Sequence, residues 1–221
     1  MKKVDYLMQY FNGPCILDVG CASHFPEPDS LYWIHGRIRK KFTEVYGIDI
    51  NQDNLKILEK LGYSNVYLRS AESFDFSPLK FDTVFAGELI EHLSNPGLFL
   101  KRAKESIKDS GRIIITTPYP FALINMIYAF YKYPNTCQNN EHTSWFCLNT
   151  IRELASRELL KITHIELIED YRIDKLPKSR NDRPSNKYLL FASIFQLVKW
   201  FIPKRLRGNS MLVILEKGFQ I

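Results

Sequence analysis

Two kinds of hydrophobic pattern alternate along the chain. Short, almost continuous apolar runs predict buried strands, whereas segments with apolar residues every three or four positions predict amphipathic helices. The predicted strands are Cys15–Val19, Glu44–Ile50, Asn65–Ser70, Phe81–Gly87, Arg112–Thr117, Lys161–Asp170 and Met211–Lys217. The predicted helices are residues 1–13, Ser30–Phe42, Asn51–Gly62, Pro96–Lys108, Phe121–Tyr133 and Ser144–Leu159.

The regular alternation of strands and helices predicts the fold class. Strands that are apolar on both faces are typical of a parallel sheet covered by helices on both sides. We therefore predict an α/β fold with a doubly wound sheet. The 221 residues fit one domain, 1–221, with lid or acceptor-binding segments at about 118–145 and 171–208.

Doubly wound sheets bind their ligands at the carboxyl ends of the strands, near the point where the strand order reverses. The segments that follow the predicted strands are 18–23, 49–50, 70–72, 87–91 and 117–120. Candidate site residues are therefore sought in these segments.

The loop after the first strand carries an acid, Asp18, and a glycine, Gly20. The carboxylate can accept hydrogen bonds from an ammonium group or from the amides of the loop, and the glycine lets the backbone pass close to a ligand. The G-x-G-x-x-G pattern that a dinucleotide pyrophosphate requires is missing, because Ala22 and His24 occupy the next positions. The loop argues against NAD or FAD and fits a ligand without a pyrophosphate.

Asp49 ends the second predicted strand. A carboxylate at this position can bind both hydroxyls of a ribose. It can also cap the helix that begins near Asn51, and the two roles are compatible.

Several segments together resemble class I S-adenosylmethionine-dependent methyltransferases. They are "ILDVGCAS", "VYGIDI", "SAESFDF", "FDTVFAGELIEHLSNPGLFLKRAKESIKDSGRIIITTP" and "NEHTSWFCLNTIRELASREL", in this order, and they span about Cys15 to Leu160. The chain is similar to the small-molecule branch that includes ubiquinone-biosynthesis-type O-methyltransferases and surface-glycan methyltransferases. The resemblance implies a mostly parallel, seven-stranded, Rossmann-like sheet with an antiparallel last strand, and S-adenosylmethionine as methyl donor.

The same resemblance implies roles for individual residues. In a methyltransferase of this kind, Asp18, Gly20 and the backbone of Cys21 and Ala22 would hold the methionine part of the cofactor. Asp49 would bind the ribose, Ile50 would pack on the adenine, and Ser70, Ala71 and Glu72 would border the adenine edge. Gly87 and Glu88 would line the cavity beside the sulfonium, where Glu88 could contact the acceptor.

Methyl transfer to a hydroxyl needs a base that removes the proton. His142 is the candidate, because a free imidazole has a pKa of about 6.5, although it could instead tie the lid to the next helix. For His92 we favour a structural role, and one of Glu88 and Glu91 could face the acceptor. A Glu–His pair without a third ligand at useful spacing is weak evidence for a metal, so we predict none.

The charge and the cysteine content of the chain limit the kinds of partner that it can be expected to bind. The net charge of +6 comes from separate basic clusters at Arg37–Lys41 and Lys199–Arg207, which argues against a continuous nucleic-acid groove. Four cysteines show no metal-ligand spacing, and no apolar signal segment precedes the first strand. We therefore expect a cytoplasmic protein with a small-molecule acceptor and no nucleic-acid partner, and the oligomeric state stays open.

The segment 187–207 is apolar, contains Trp200 and Phe201, and ends in basic residues. It is too short and too interrupted to span a bilayer. It could lie at a membrane surface, pack on the sheet or contact a second subunit.

Three functions are compatible with these patterns. The first is methyl transfer to an oxygen or nitrogen of a small-molecule, lipid-linked or glycan-type acceptor, which requires that the first loop binds the cofactor. The second is a catalytically silent S-adenosylmethionine-binding or scaffold protein. The third, nucleic-acid methylation, is disfavoured because "AGELIEHL" follows the fourth strand where a base-flipping motif would stand.

Overall fold

The computed structural model describes residues 3–22, 33–132, 140–169, 193–194, 197 and 199–218. The seven strands in these ranges form one sheet. They are β1 (Cys15–Val19), β2 (Glu44–Asp49), β3 (Val66–Leu68), β4 (Phe81–Gly87), β5 (Ile107–Pro118), β6 (Leu160–Ile168) and β7 (Ser210–Lys217).

The strand order is β3-β2-β1-β4-β5-β7-β6. Strands β1 to β5 pair in parallel, and β7 runs antiparallel to both β5 and β6. The order reverses between β1 and β4, which places the topological switch point there. The predicted doubly wound sheet with an antiparallel last strand is confirmed.

Helices surround this sheet. They are α1 (Lys3–Leu7), which continues as a 3₁₀ turn over Met8–Tyr10, α2 (Ile34–Lys41), α3 (Gln52–Lys60), α4 (Pro96–Ser106), α5 (Leu123–Lys132) and α6 (Leu148–Arg157). Further 3₁₀ turns cover Ile90–His92 and Lys199–Phe201, and one turn of α-helix covers Lys204–Arg207. The helix predicted from Ser30 begins at Ile34 within the described ranges.

The buried strand β1 shows why helices cover both faces of the sheet. Cys15, Leu17 and Val19 pack in an apolar cluster with residues of α4 and α6. Ile16 points the other way and packs with Leu7 of α1 and with residues of α2. Alternation of side chains along a strand produces this division, so a strand that is apolar throughout requires two covered faces.

The end of α4 differs from the prediction. The sequence pattern predicts a helix that reaches Lys108 and a next strand that begins at Arg112. Instead α4 ends at Ser106, and β5 begins at Ile107. Ile107 is fully buried and pairs with Phe81 of β4, so tertiary packing overrides the helical pattern.

Candidate functional site

The loop after β1 folds back onto β2. The amides of Gly20 and Cys21 both donate to the carbonyl oxygen of Ile48, at 2.8 and 3.1 Å. Gly20 has φ = +83°, a conformation that residues with a Cβ rarely adopt. A Cβ at this residue would lie 3.3 Å from Leu89 Cδ1, in the segment after β4. The strand ends of β1, β2 and β4 thus meet at Gly20.

Asp49 fixes the position of the same loop. Its Oδ2 accepts a hydrogen bond from the Ala22 amide, and its Oδ1 accepts one from the Asn51 amide, both at 2.9 Å. The side-chain cap of α3 is Asn51, whose Oδ1 accepts from the Asn54 amide at 3.0 Å. Asp49 is therefore not the N-cap of α3, which was one of the two predicted roles.

Ile50, next to Asp49, exposes 76% of its surface. A large aliphatic side chain in this position leaves an apolar surface beside the carboxylate, available to a flat apolar ring.

Asp18 lies on the α2 face of the sheet, two residues after Ile16, and only 3% of its surface is exposed. Its Oδ2 lies 3.0 Å from Nδ1 of His35 in α2, which is equally buried. Contact between Asp18 and a cofactor stays a prediction, because the structure shows the carboxylate as the partner of a buried imidazole.

The sequence pattern did not identify His35 as a partner of Asp18. The one feature of the sequence that could have indicated a buried His35 is its position, four residues after Leu31 and three before Ile38, on the predicted apolar face of the helix. Gly47 of β2 makes room for it, since a Cβ there would lie 2.9 Å from His35 Cε1. Among the described residues, His35 Nε2 has no hydrogen-bond partner.

Cys21 and Ala22 are buried, and both of their amides and the Cys21 carbonyl are paired. The Cys21 carbonyl accepts from Nε1 of Trp33 at 2.9 Å, while the Ala22 amide donates to Asp49. Burial raises the pKa of the Cys21 thiol far above its usual value, so the thiol stays neutral. These residues shape the loop, and direct contact with a cofactor stays a prediction for both.

The segment after β3 places Ala71 in the core and turns Glu72 toward the start of α4. The Glu72 carboxylate accepts from the backbone amide of Asn95 at 2.9 Å and from its side-chain amide at 3.3 Å. Ser70 Oγ accepts from the Glu72 amide at 3.2 Å. Glu72 therefore fixes α4, and its place at the adenine edge stays a prediction.

Gly87 ends β4, and Glu88 follows in the left-handed region with φ = +53°. Glu88 Oε1 accepts from Lys3 Nζ at 2.7 Å and from Ser210 Oγ at 2.9 Å. This carboxylate joins the first helix, the end of β4 and the last strand. It lies at the carboxyl ends of the parallel strands, where the acceptor is predicted to bind.

Glu91, His92 and His142 come together beside this position. One carboxylate oxygen and one ring nitrogen from each histidine all lie within 4.8 Å of one another. The two imidazole rings meet edge to face, with centroids 4.7 Å apart. The structure therefore supplies a third group to the Glu–His pair that the sequence left without one.

Burial shapes the chemistry of this cluster. Desolvation, with a smaller effect from the charge of Glu88, raises the pKa of Glu91 to about 8. Burial and the neighbouring His92 lower the pKa of His142 below its usual value, so its imidazole is neutral at pH 7. Thr117 Oγ1 donates to Glu91 Oε2 at 2.9 Å.

The segment that carries His142 is docked by backbone hydrogen bonds. The amides of Thr143 and Ser144 donate to the carbonyl oxygen of Glu91 at 2.8 and 3.2 Å. Thr143 Oγ1 also donates to the carbonyl oxygen of Leu93 at 2.7 Å. The backbone thus fastens this segment, while the His92 ring faces His142. His24 lies outside the described residues.

Comparisons with known proteins identify the family and the fold. Residues 2–164 match the family model described as "Methyltransferase domain". A ubiquinone biosynthesis O-methyltransferase of Azorhizobium caulinodans is 29% identical over 108 residues, which is 46% of this chain and 39% of the relative. A tRNA U34 carboxymethyltransferase of Campylobacter concisus is 28% identical over 124 residues, 53% of this chain and 40% of the relative.

The chain thus spans about two fifths of the length of these curated relatives. Among solved structures, an S-adenosylmethionine-dependent methyltransferase from Archaeoglobus fulgidus superposes with a TM-score of 0.66 at 20% identity, covering 97% of this chain and 91% of that one. The fold is that of the class I S-adenosylmethionine-dependent enzymes, as predicted from the sequence. The chain belongs to the family of methyltransferase domains.

Proposed function

We propose that this chain transfers a methyl group from S-adenosylmethionine to an oxygen or nitrogen atom of a small-molecule, lipid-linked or glycan-type acceptor. The observation that carries the proposal is the meeting of three strand ends at the switch point. Gly20 lies against Leu89, and the loop of Gly20 is tied to Asp49 through the Ala22 amide.

The residues at this point fit the cofactor. Gly20 is exposed and has no side chain, so a ligand can approach its backbone closely. Each carboxylate oxygen of Asp49 accepts an amide hydrogen bond and has a second lone pair for a ribose hydroxyl. The exposed Ile50 offers an apolar surface to the adenine.

S-adenosylmethionine, when bound, supplies a methyl group that its positively charged sulfur has already activated. The protein must then hold the acceptor atom in line with the methyl carbon and the sulfur, and it must take up the acceptor's proton. His142 can accept this proton, because its half-buried imidazole is neutral at pH 7. Glu88 is the proposed acceptor contact, held in place by Lys3 and Ser210.

Calorimetric titration with S-adenosylmethionine and its demethylated product tests the proposal. We expect saturable binding. An Asp49→Asn variant should bind at least tenfold more weakly, because one of the two backbone amides that now donate to Asp49 would face the NH₂ group of asparagine, which is also a donor. Asp53→Asn is the matched control, since the side chain of Asp53 is 91% exposed on α3. If no binding is detected up to about 1 mM ligand, which corresponds to a very weak Kd, the proposed methyltransferase activity is excluded.

Turnover separates an enzyme from a silent binding protein. Transfer of labelled methyl from S-adenosylmethionine to a cell extract should give a labelled product, and His142→Ala should suppress it without changing cofactor affinity. Binding without any labelled product would favour the silent alternative.

The acceptor class can be read from the same labelled extract. The Campylobacter concisus relative acts on tRNA by its name, so an arm treated with ribonuclease is needed. We expect the label to survive ribonuclease and to partition with small molecules or lipids. Loss of the label after ribonuclease would instead indicate an RNA acceptor.

Peripheral membrane contact through 187–207 and a cytoplasmic location are part of the proposal. Trp200 and Phe201 are 76% and 90% exposed, next to the exposed Lys204 and Arg205. Among the described residues, no helix is both long and apolar enough to cross a membrane. Sedimentation with anionic phospholipid vesicles should fall for Trp200→Ala/Phe201→Ala but not for Phe121→Ala, which removes another exposed aromatic ring.

A further inference from the structure

We propose that Glu91, His92 and His142 form a binding site for a divalent transition-metal ion of the Zn²⁺ type. The site lies after β4, next to Glu88, at the edge of the sheet where the proposed function places the acceptor. Metal binding itself does not depend on that function, whereas a role of the metal in methyl transfer rests on it.

The geometry brings three ligand atoms together from distant parts of the chain. They lie within 4.8 Å of one another, whereas a tetrahedral ion with bonds of about 2.0 Å needs separations of about 3.3 Å. Metal binding would therefore require rotations of the three side chains that bring their ligand atoms closer together. The docked backbone of Thr143 and Ser144 keeps His142 beside the Ile90–His92 turn while they do so.

Two polar atoms of the cluster are buried without a hydrogen-bond partner. They are Oε1 of Glu91 and Nδ1 of His142, counted over the part of the chain that the structure describes. Buried polar atoms are nearly always paired, and one that is not needs an explanation, such as a bound water or ion. Two such atoms in residues of one cluster point to a shared ligand.

The chemistry of the ligands selects the kind of metal. Two imidazole nitrogens and one carboxylate oxygen suit Zn²⁺, Fe²⁺ or Mn²⁺, while Mg²⁺ and Ca²⁺ prefer oxygen ligands throughout. Three protein ligands leave coordination positions open, as in catalytic metal sites. The hydrogen bond from Thr117 Oγ1 orients Glu91 in the manner of a residue that supports a metal ligand.

An open coordination position beside the proposed acceptor site would suit a hydroxyl oxygen. Oxygen bound to such an ion loses its proton more readily, and the proton passes to solvent. Under this inference His142 serves as a ligand and is not the base while the metal is bound. The acceptor class is then a hydroxyl compound, and the product is a methyl ether.

Metal content tests the site without any need for turnover. The protein is stripped with a chelator and titrated with Zn²⁺ by calorimetry, and the bound metal is counted by elemental analysis. We expect one ion per chain, with affinity at least tenfold lower in His92→Ala, in His142→Ala and in Glu91→Gln. Circular dichroism melting identifies any variant that fails to fold, and His142→Gln, close in size, replaces His142→Ala in that case.

Two variants serve as controls for adventitious binding. His164→Ala removes the histidine of a second His–Glu pair, His164 with Glu166 at 3.4 Å, and Cys147→Ser removes a partly buried thiol whose pKa a backbone hydrogen bond from Thr150 lowers. Neither should change the affinity for Zn²⁺. Co²⁺ in place of Zn²⁺ should give an absorption spectrum without a sulfur-to-metal charge-transfer band.

The inference is overturned if no ion binds at one per chain, or if the control variants lose the ion and the site variants keep it. Titration of the stripped protein with S-adenosylmethionine distinguishes this failure from failure of the proposed function. Cofactor binding without Zn²⁺ binding removes the metal site alone, whereas Zn²⁺ binding without cofactor binding removes the proposed function and leaves the metal site.

Discussion

At the scale of single residues, two positions of the site are constrained by the backbone conformation or by a buried partner. Gly20 holds a left-handed conformation against Leu89, and Asp18 is a buried acid whose partner is a buried histidine. Both constraints can be measured separately from catalysis.

Replacing Gly20 by alanine should destabilise the fold by about 1–2 kcal/mol, because a Cβ is strained at φ = +83°. The contact at 3.3 Å with Leu89 should also displace the loop and weaken S-adenosylmethionine binding. Urea unfolding and calorimetry measure the two effects.

Gly62→Ala is the matched control for this change. Gly62 has φ = +81°, but within the described residues no atom lies within 4 Å of the position that a Cβ would take there. It should show the strain and keep full cofactor affinity. Equal loss of affinity in both variants would contradict the role of Gly20 in the site.

Replacing His35 by alanine should cost about 1–3 kcal/mol, because the buried carboxyl group of Asp18 would lose its hydrogen-bonding partner. His35→Asn keeps a donor near the position of Nδ1 and should lose less. Urea unfolding at pH 7 measures both variants. His164→Ala, at a half-exposed histidine, should change stability by less than about 0.5 kcal/mol, and a similar loss in all three would argue against the pair.

At the scale of elements, α1 is attached to β6 through a phenol and a carboxylate. Tyr6 Oη donates to Glu166 Oε2 at 2.5 Å, and Tyr10 Oη donates to the same atom at 3.4 Å. Burial raises the pKa of Glu166, but the hydrogen bonds from Tyr6 and His164 outweigh it and hold that pKa below its usual value. The ionised form of Glu166 therefore stabilises the fold.

Tyr6→Phe should lower the free energy of unfolding by about 1 kcal/mol at pH 7, because it removes a hydrogen bond to a charged carboxylate. This value is at the low end for such a bond because the side chain of Glu166 is 40% exposed and solvent screens its charge. A carboxyl with a lowered folded-state pKa stabilises the fold above its unfolded pKa of about 4.3, and this contribution disappears as the pH falls through the folded-state value.

The difference between Tyr6→Phe and the unmodified protein should therefore shrink below about pH 4. Urea unfolding across pH 3 to 8 measures it. Tyr10→Phe removes only the longer contact and should have a smaller effect. A difference that does not vary with pH would show that the lost energy is packing rather than the hydrogen bond.

At the scale of the whole molecule, a ligand that binds only the folded chain stabilises it by mass action. S-adenosylmethionine at one hundred times its Kd should add about 2.7 kcal/mol, which for a chain of this size raises the melting temperature by about 5–10 °C. Thermal melting followed by circular dichroism measures the shift. Gly20→Ala at the same ligand concentration should shift less, and an unchanged melting temperature in the unmodified protein would contradict cofactor binding.

The fold class and most of the strands could be predicted because their signals are local. Apolar runs such as Cys15–Val19 identify strands, and strand ends identify Gly20 and Asp49 as candidates. Contacts between distant segments could not be predicted. Glu91 and His142 are 51 positions apart, and only the folded chain shows that the loop after β4 meets the segment before α6.

The docking of residues 143 and 144 onto Glu91 has a consequence for experiment. Their amides are held by one carbonyl oxygen, immediately beside His142. Hydrogen–deuterium exchange at these two amides therefore reports each opening of the segment that carries the imidazole. Slower exchange after addition of cofactor or Zn²⁺ would record closure of the site in solution, with no acceptor needed.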